Sequence, residues 1–251
     1  MWDVLVAGGW GLLAGSSLLL GALVGYLARI PVAIVASVMA FGSGVLLSAV
    51  SFELIAEAHE RGGMVPTAFG AIAGALIYTF ANIVLARRGA RHRKRSGDQQ
   101  PSESEQSGSG TAIALGALLD GIPESIVIGT TLLGGGAVSA VTDAAVFISN
   151  VPEGLSSASG MRRAGRGPGY VFTLWAGIAV ISGAAAMAGY GLLGGASATV
   201  LAAITALAAG AILAMIADTM IPEAFEHAHI WIGLITVSGF LTAFALSQLD
   251  P

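Results

Sequence analysis

Eight apolar stretches of about 20 residues recur along this chain of 251 residues. An α-helix of that length crosses the hydrocarbon core of a bilayer, and only helices or closed barrels satisfy their backbone polar groups in lipid. Charged residues make up 10% of the sequence, against roughly 25% in an average soluble domain. We therefore predict an all-α membrane protein with spans near residues 4–27, 32–56, 66–86, 111–133, 138–160, 169–190, 197–221 and 229–248.

The segment 87–110, RRGARHRKRSGDQQPSESEQSGSG, is basic and then rich in Ser, Gln and Gly. This composition predicts a disordered polar loop between the third and fourth spans. We favour a linker that sets topology over a regulatory or metal-binding role. With both termini outside, ten of the eleven Lys and Arg residues fall in cytoplasmic loops and only Arg61 falls outside. The positive-inside rule thus predicts a multi-pass protein of the cell (inner or plasma) membrane, with loop 87–110 in the cytoplasm.

An internal repeat relates the two ends of the chain. GSGVLLSAVSFELIAEAHE (42–60) aligns without gaps on AAGAILAMIADTMIPEAFE (208–226), which pairs Glu57 with Glu223 and Glu60 with Glu226. Counting spans, the second and seventh helices run in opposite directions, and inverted repeats are typical of transporters with a site near the midplane. Biased Ala, Gly and Leu composition is the alternative explanation, but it does not account for the matched acids.

Two apolar stretches carry a carboxylate motif that includes a proline. DGIPES places Asp120 and Glu124 one helical turn apart on one face of the fourth helix, and SNVPEG places Asn150 and Glu153 on the fifth. A carboxylate at the bilayer centre costs about 2.5–3.5 kcal/mol on insertion scales. A proline within a helix leaves a backbone carbonyl free for a ligand.

The apolar stretches contain no lysine or arginine at the depth of these acids. With Asp143 of the fifth helix, four unpaired carboxylates would cost on the order of 10 kcal/mol. We therefore expect protons, or a cation from outside the protein, to neutralise them. Neutral acids that only hydrogen-bond helices together are the alternative. The chain has no cysteine, which excludes thiolate metal sites.

DGIPES and SNVPEG resemble the paired His-Asn-x-Pro-Glu-Gly-type motifs in the fourth and fifth helices of prokaryotic ZIP (Zrt/Irt-like) metal transporters. SFELIAEA and DTMIPEA resemble the second- and seventh-helix segments of that family, so the resemblance covers essentially the whole chain. It implies a 3+2+3 arrangement, in which helices 1–3 (residues 1–86) and helices 6–8 (161–251) form an inverted repeat around helices 4 and 5 (111–160). It also implies a homodimer.

Carried over by position, the resemblance implies that Glu124 and Glu153 are the principal metal-binding carboxylates and Asn150 a polar ligand. Asp120 stands where the family usually has histidine in the first motif. Because these four ligands are all oxygen donors, they favour harder ions such as Mn²⁺ or Fe²⁺, although carboxylates also bind zinc well. The sixth helix lacks the glutamate that some members contribute, so we do not expect a two-metal centre.

Further acids and histidines lie near the predicted helix ends, where they could form entrance and exit sites. Solvated helix ends are the equally weighted alternative. These residues are Glu53, Glu57 and His59 on the outer side, Asp143 on the fifth helix, and Asp218, Glu223, Glu226, His227 and His229 on the inner side.

We therefore expect a permease that moves divalent metal ions into the cytoplasm by alternating access, with zinc as the main cargo and iron, manganese or cadmium as others. Its partners would be the lipid bilayer and the transported ion, without a resident cofactor or nucleic acid. A proton- or cation-coupled carrier of another solute is the alternative. An intramembrane enzyme is disfavoured, because H-E-x-x-H is absent and a phosphatase would need an arginine near its acids.

Overall fold

A computed structural model describes residues 2–95, 99–134 and 140–248, except for the side chains of 134, 140–143, 145 and 227–229. All regular secondary structure in these ranges is helical. The predicted all-α architecture with eight helices is confirmed for these residues, and it is consistent with a membrane protein. The helices are α1 (Trp2–Leu27), α2 (Val32–Gly62), α3 (Met64–Ala90), α4 (Ser109–Thr131), α5 (Ala140–Arg163), α6 (Pro168–Leu193), α7 (Ala198–Glu226) and α8 (Ile232–Ser247).

Six of these helices, α1 to α4, α6 and α7, are long and apolar enough to cross a membrane. Helix α5 has 24 residues, but its acids and serines lower its hydropathy. Helix α8 has 16 residues, or about 24 Å at 1.5 Å per residue. Large apolar side chains such as Phe69, Phe80 and Leu192 are exposed on the outer surface. In a membrane-embedded protein, lipid covers such side chains.

Local sequence signals set several helix ends. Pro168 is the first residue of α6, where its missing N–H would have no intrahelical partner. The Ser197 side chain caps α7 by accepting a hydrogen bond from the Val200 amide. Gly63 separates α2 from α3 with a φ of 77°, a conformation that favours glycine because other residues carry a Cβ atom.

The helices pack as a bundle in which α4 and α5 contact both ends of the chain. Helix α5 packs against α1 and α2, while α4 packs against α6 and α7. Helix α3 packs against α7, and α8 packs against α2. The acids of α4 and α5 therefore lie among helices from both halves of the sequence.

Two features of α2 recur at the aligned positions of α7. A π-helical turn spans Val50–Ile55 in α2 and Ile216–Met220 in α7. Gly44 of α2 and Gly210 of α7 each allow a neighbouring helix to approach closely. A Cβ atom at Gly44 would overlap a backbone carbonyl oxygen of α8, and one at Gly210 would overlap a carbonyl oxygen of α3. The sequence repeat thus coincides with a repeated local geometry.

The described part of loop 87–110 packs against the helices, although the sequence predicted disorder. Glu103 accepts hydrogen bonds from the backbone amides of Gly108 and Gly110 at the start of α4. Arg166 donates to the Ser109 hydroxyl at 2.9 Å and so ties this region to the segment before α6. The polar side chains of the loop thus find partners on helix ends.

We expect Gly44→Ala and Gly210→Ala each to lower the Tm of the detergent-solubilised protein. Each added methyl group would overlap a backbone carbonyl that cannot rotate away, and overpacking of this kind costs about 1–3 kcal/mol. Gly177→Ala on α6 is the matched control, since no atom lies within 4 Å of its added methyl group. A Tm loss in the control equal to that in both test variants would contradict the close helix packing.

A second prediction concerns the pH dependence of the α4 start. The amides of Gly108 and Gly110 lower the pKa of Glu103 below its ordinary value of 4.5. A depressed pKa contributes stability that is present above pH 4.5 and is lost as the pH falls through the folded-state pKa. Glu103→Gln should therefore lower the Tm at pH 7, and the two Tm curves should converge at acidic pH. Asp3→Asn, at an exposed acid of α1, should give no such convergence.

Candidate cation site

Three carboxylates from α4 and α5 lie together inside the bundle. Asp120 and Glu124 of α4 are each 2% exposed, and Glu153 of α5 is 4% exposed. Glu124 lies close enough to Asp120 and Glu153 to interact with their charges. Pro123 precedes Glu124 within α4 and cannot donate to the Leu119 carbonyl, because proline lacks an N–H. We call Asp120, Glu124 and Glu153 the central carboxylates.

Asp120 is held by two side chains from outside α4. The Tyr78 hydroxyl of α3 donates to Oδ1 at 2.7 Å. Arg93 donates to both oxygens, from Nη2 to Oδ1 and from Nε to Oδ2, each at 2.9 Å. A guanidinium that binds both oxygens of a carboxylate fixes its orientation as well as its charge.

The ammonium group of Lys94 contacts one acid of α4 and one acid of α5. Lys94 Nζ lies 3.0 Å from Glu153 Oε2 and 3.4 Å from Asp120 Oδ2, and its side chain is 3% exposed. The remaining central carboxylate differs from these two. Glu124 Oε1 is buried without a hydrogen-bond partner. The site therefore combines a cation shared by two acids with a third acid that has an unsatisfied oxygen.

The expectation that the protein supplies no cation at the depth of these acids is wrong. Arg93 and Lys94 belong to residues 91–95, which we call the basic segment; it follows α3 and enters the bundle. Counting charges within apolar stretches missed it, because residues outside a span can fold back between helices. The available signal was the unpaired acids together with a run of basic residues directly after the third helix.

The basic segment is anchored through its backbone as well as its charges. Gln100 Nε2 donates to the carbonyls of Arg93 at 3.0 Å and Arg95 at 3.1 Å. The Ser156 hydroxyl of α5 donates to the Lys94 carbonyl. The Ser156 bond holds the segment against α5, and the Gln100 bonds join the segment to the rest of the loop, so its position does not depend on ion pairs alone.

Arg95 extends the cluster to α7. Its Nε lies 3.3 Å from Oε2 of Glu223, which is fully buried, and its Nη1 donates to Glu226. Gln99 also donates to Glu226. Glu223 and Glu226, which were predicted at the inner helix end, are therefore joined to the central carboxylates through the basic segment.

Two other predicted site residues, Asn150 and Glu57, have partners outside this cluster. Asn150 donates to the Ala14 carbonyl of α1 at 3.1 Å. Glu57 pairs with Arg61 at 2.6 Å, Glu53 is half-buried, and His59 and Asp218 are exposed. The ligand roles predicted for these residues stay predictions, and the side chains of Asp143, His227 and His229 lie outside the described residues.

The described side chains contain no group of three or more His, Asp or Glu residues positioned around one metal ion. The basic segment lies between the acids instead. His92 adds no charge to it at neutral pH, because partial burial beside Arg95 and Arg91 lowers the pKa of His92 below 6.5. Chemically, the arrangement binds cations: its acids surround an ammonium and two guanidinium groups.

We expect substitutions of Arg93 and Asp120 to have strongly non-additive effects on the free energy of unfolding. Arg93→Met leaves Asp120 with one fewer buried cation, and Asp120→Asn leaves Arg93 without its carboxylate, whereas the double variant removes both charges. The cycle should give a coupling free energy of unfolding in the upper part of the range of about 0.5–3 kcal/mol seen for contacting residues. Reversible unfolding in mixed micelles measures it.

The matched control is the half-exposed Glu57–Arg61 pair, one helical turn apart on α2. The cycle of Glu57→Gln and Arg61→Met should give only about 0.3–0.5 kcal/mol, as exposed helical pairs do. Equal coupling in the two pairs would contradict the burial of Arg93.

Comparison of the sequence with protein-family models and with curated proteins finds no match. The function of the site is therefore argued from its own chemistry: buried carboxylates on two helices of a membrane protein, with basic side chains lying between them.

Proposed function

We propose that the chain is a permease for divalent metal ions and that the central carboxylates form its transport site. The observation that carries this proposal is the environment of Glu124. Its Oε1 is buried without a hydrogen-bond partner, next to two acids that share the Lys94 ammonium. Buried acids that surround a cation, with an oxygen to spare, are suited to exchange one cation for another.

The helix arrangement supports a transporter. An inverted repeat of helices α1–α3 and α6–α8 around α4 and α5 accounts for the recurrence of the π-helical turn in α2 and α7. Under that repeat α2 corresponds to α7 and α3 to α8, so the α3–α7 contact corresponds to the α8–α2 contact. Inverted repeats place substrate sites between the two halves near mid-depth, which is where α4 and α5 lie in this proposal.

The resemblance of DGIPES and SNVPEG to ZIP transporter motifs points to metal ions as the cargo. The acids at hand are oxygen donors, which suit Mn²⁺ and Fe²⁺ and also bind Zn²⁺. We propose zinc as the main cargo, with iron, manganese and cadmium as further substrates. Asn150 now bonds to α1, so its predicted ligand role would require its side chain to rotate.

The direction of transport is part of the proposal. The positive-inside rule places the arginine-rich residues 87–95 in the cytoplasm. The basic segment then reaches the central carboxylates from the cytoplasmic side. We propose inward transport of the metal by alternating access, with both termini outside.

One observation favours the alternative of a proton- or cation-coupled carrier of another solute. Arg93 and Tyr78 satisfy Asp120 from within the protein, so this acid needs no metal to balance it. An intramembrane phosphatase could also use an arginine near acids. The guanidinium of Arg93, however, already donates to Asp120, Asn82 and Tyr78, which leaves little of it for a phosphate.

Flux of Zn²⁺, Mn²⁺, Fe²⁺ and Cd²⁺ into proteoliposomes that contain a metal-sensitive dye tests the proposal. Wild-type protein should give saturable flux, and Glu124→Gln and Glu153→Gln should each reduce the initial rate at least about tenfold, since a loss of 1.4 kcal/mol in cation binding is a factor of ten. Asp3→Asn removes an exposed carboxylate of α1 and should leave flux unchanged.

Two results would contradict metal transport. One is the absence of flux for all four ions from folded wild-type protein, and the other is normal flux in both central variants. A pH-sensitive dye in the same vesicles separates the alternative, because a proton-coupled carrier would change the lumenal pH when its solute is added, without added metal.

A further inference from the structure

The basic segment occupies the position where a transported cation would bind. The side chains of Arg93 and Lys94 are each 3% exposed, as buried as the acids that they contact. Lys94 Nζ is 3.0 Å from Glu153 and 3.4 Å from Asp120. Its ammonium is thus shared by one acid of α4 and one acid of α5.

A divalent ion and this ammonium exclude each other. Metal ions bind carboxylate oxygens at about 2.0–2.6 Å, so an ion on Glu153 Oε2 would lie next to an ammonium only 3.0 Å from the same oxygen. Two cations in contact with the same oxygen repel each other strongly in a site of low dielectric constant. Binding of the metal to Glu153 therefore requires Lys94 to leave.

Glu124 is the central carboxylate that an incoming ion can contact while Lys94 still holds its ion pairs. Arg93 and Lys94 pair with Asp120, and Lys94 also pairs with Glu153, whereas Arg95 pairs with Glu223 and Glu226 of α7. Glu124, whose Oε1 has no hydrogen-bond partner, is the acid that such an ion would reach first.

The position of the segment does not rest on charge alone. Ser156 donates to the Lys94 carbonyl, and a Cβ atom on Gly160 of α5 would overlap the Arg95 carbonyl. Likewise, a Cβ atom on Gly116 of α4 would overlap the Arg93 side chain. Both helices thus carry a glycine where the segment lies against them.

We propose that the basic segment is an autoinhibitory plug, in which Lys94 occupies the cation position between Asp120 and Glu153 until a divalent ion displaces it. This proposal rests on the proposed function, because it names a regulator of the same site. Because Lys94 is covalently linked to α3, it competes with the metal for the carboxylates at a high effective concentration. The length of the linking chain sets this concentration, and conditions in the cell do not change it. Transport would begin only when the metal concentration suffices to displace the plug.

The first test compares Lys94→Met with Arg91→Met in the proteoliposome assay. Met is unbranched like lysine, one heavy atom shorter, and carries no charge. Lys94→Met should lower the apparent KM for Zn²⁺ about tenfold, within the 5–150-fold range of typical coupling between sites. Arg91 is exposed on the same segment, and its substitution should leave the apparent KM unchanged.

A steric variant keeps the test valid if loss of the lysine disturbs folding. Gly160→Ala changes no charge, but its methyl group overlaps the Arg95 carbonyl and should displace the segment. It should lower the apparent KM in the same direction as Lys94→Met. Gly167→Ala is the matched control, because its added methyl group has no neighbour within 4 Å.

The reactivity of an introduced cysteine reports whether the plug is in place, without a transport measurement. The chain has no cysteine, so in Ser156→Cys a maleimide reacts only beneath the basic segment. Labelling should be slow, and Mn²⁺ should accelerate it, because displacement of the plug uncovers the thiol; manganese is used since thiolates bind it weakly. Ser104→Cys, exposed in the loop, should react quickly with or without Mn²⁺.

The outcomes separate this proposal from the proposed function. Zinc flux in wild type with an unchanged KM in both Lys94→Met and Gly160→Ala overturns the plug and leaves the permease in place. Absence of metal flux in every variant overturns the permease. If no variant transports metal, the labelling assay still tests the plug. Slow maleimide labelling of Ser156→Cys in a protein that also carries Lys94→Met overturns it. Faster labelling with Mn²⁺ together with a lower KM supports both.

Discussion

The ion pairs between Lys94 and the acids Asp120 and Glu153 are the interaction on which the interior of this protein depends. They join α4 to α5, and they bind residues from outside the membrane spans to the centre of the bundle. Three buried acids without a cation would cost on the order of 10 kcal/mol, comparable to the stability of a whole domain. The basic segment removes much of that cost while leaving one oxygen of Glu124 unsatisfied.

Under the proposed function, this arrangement reconciles two requirements of a transport site that otherwise conflict. A site that attracts divalent ions must concentrate negative charge, and the same charge destabilises the empty protein. The Lys94 ammonium balances charge on Asp120 and Glu153 when no ion is present. In the proposed mechanism it can leave, because ion pairs and not coordination bonds hold it there. In the proposed mechanism the resting and loaded states differ in which cation balances the same carboxylates.

The sequence predicted the helices well, because length and hydropathy are local properties. It also singled out Asp120, Glu124 and Glu153, which are buried in the structure, because acids near a proline in an apolar stretch are conspicuous. Their role as metal ligands stays a prediction. The sequence failed for Tyr78, Arg93, Lys94 and Arg95, whose positions depend on how a loop packs between helices that are distant in sequence. Composition predicted disorder for that loop, but the side chains that make it polar are the ones the buried acids bind.

A structure determined with bound Mn²⁺ or Zn²⁺, in which anomalous scattering locates the metal, distinguishes the two proposed states of the site. We expect a metal peak in contact with Glu124 and Glu153, with the Lys94 ammonium no longer between Asp120 and Glu153. A metal-saturated structure in which Lys94 keeps both ion pairs and no peak lies at the central carboxylates would contradict this expectation.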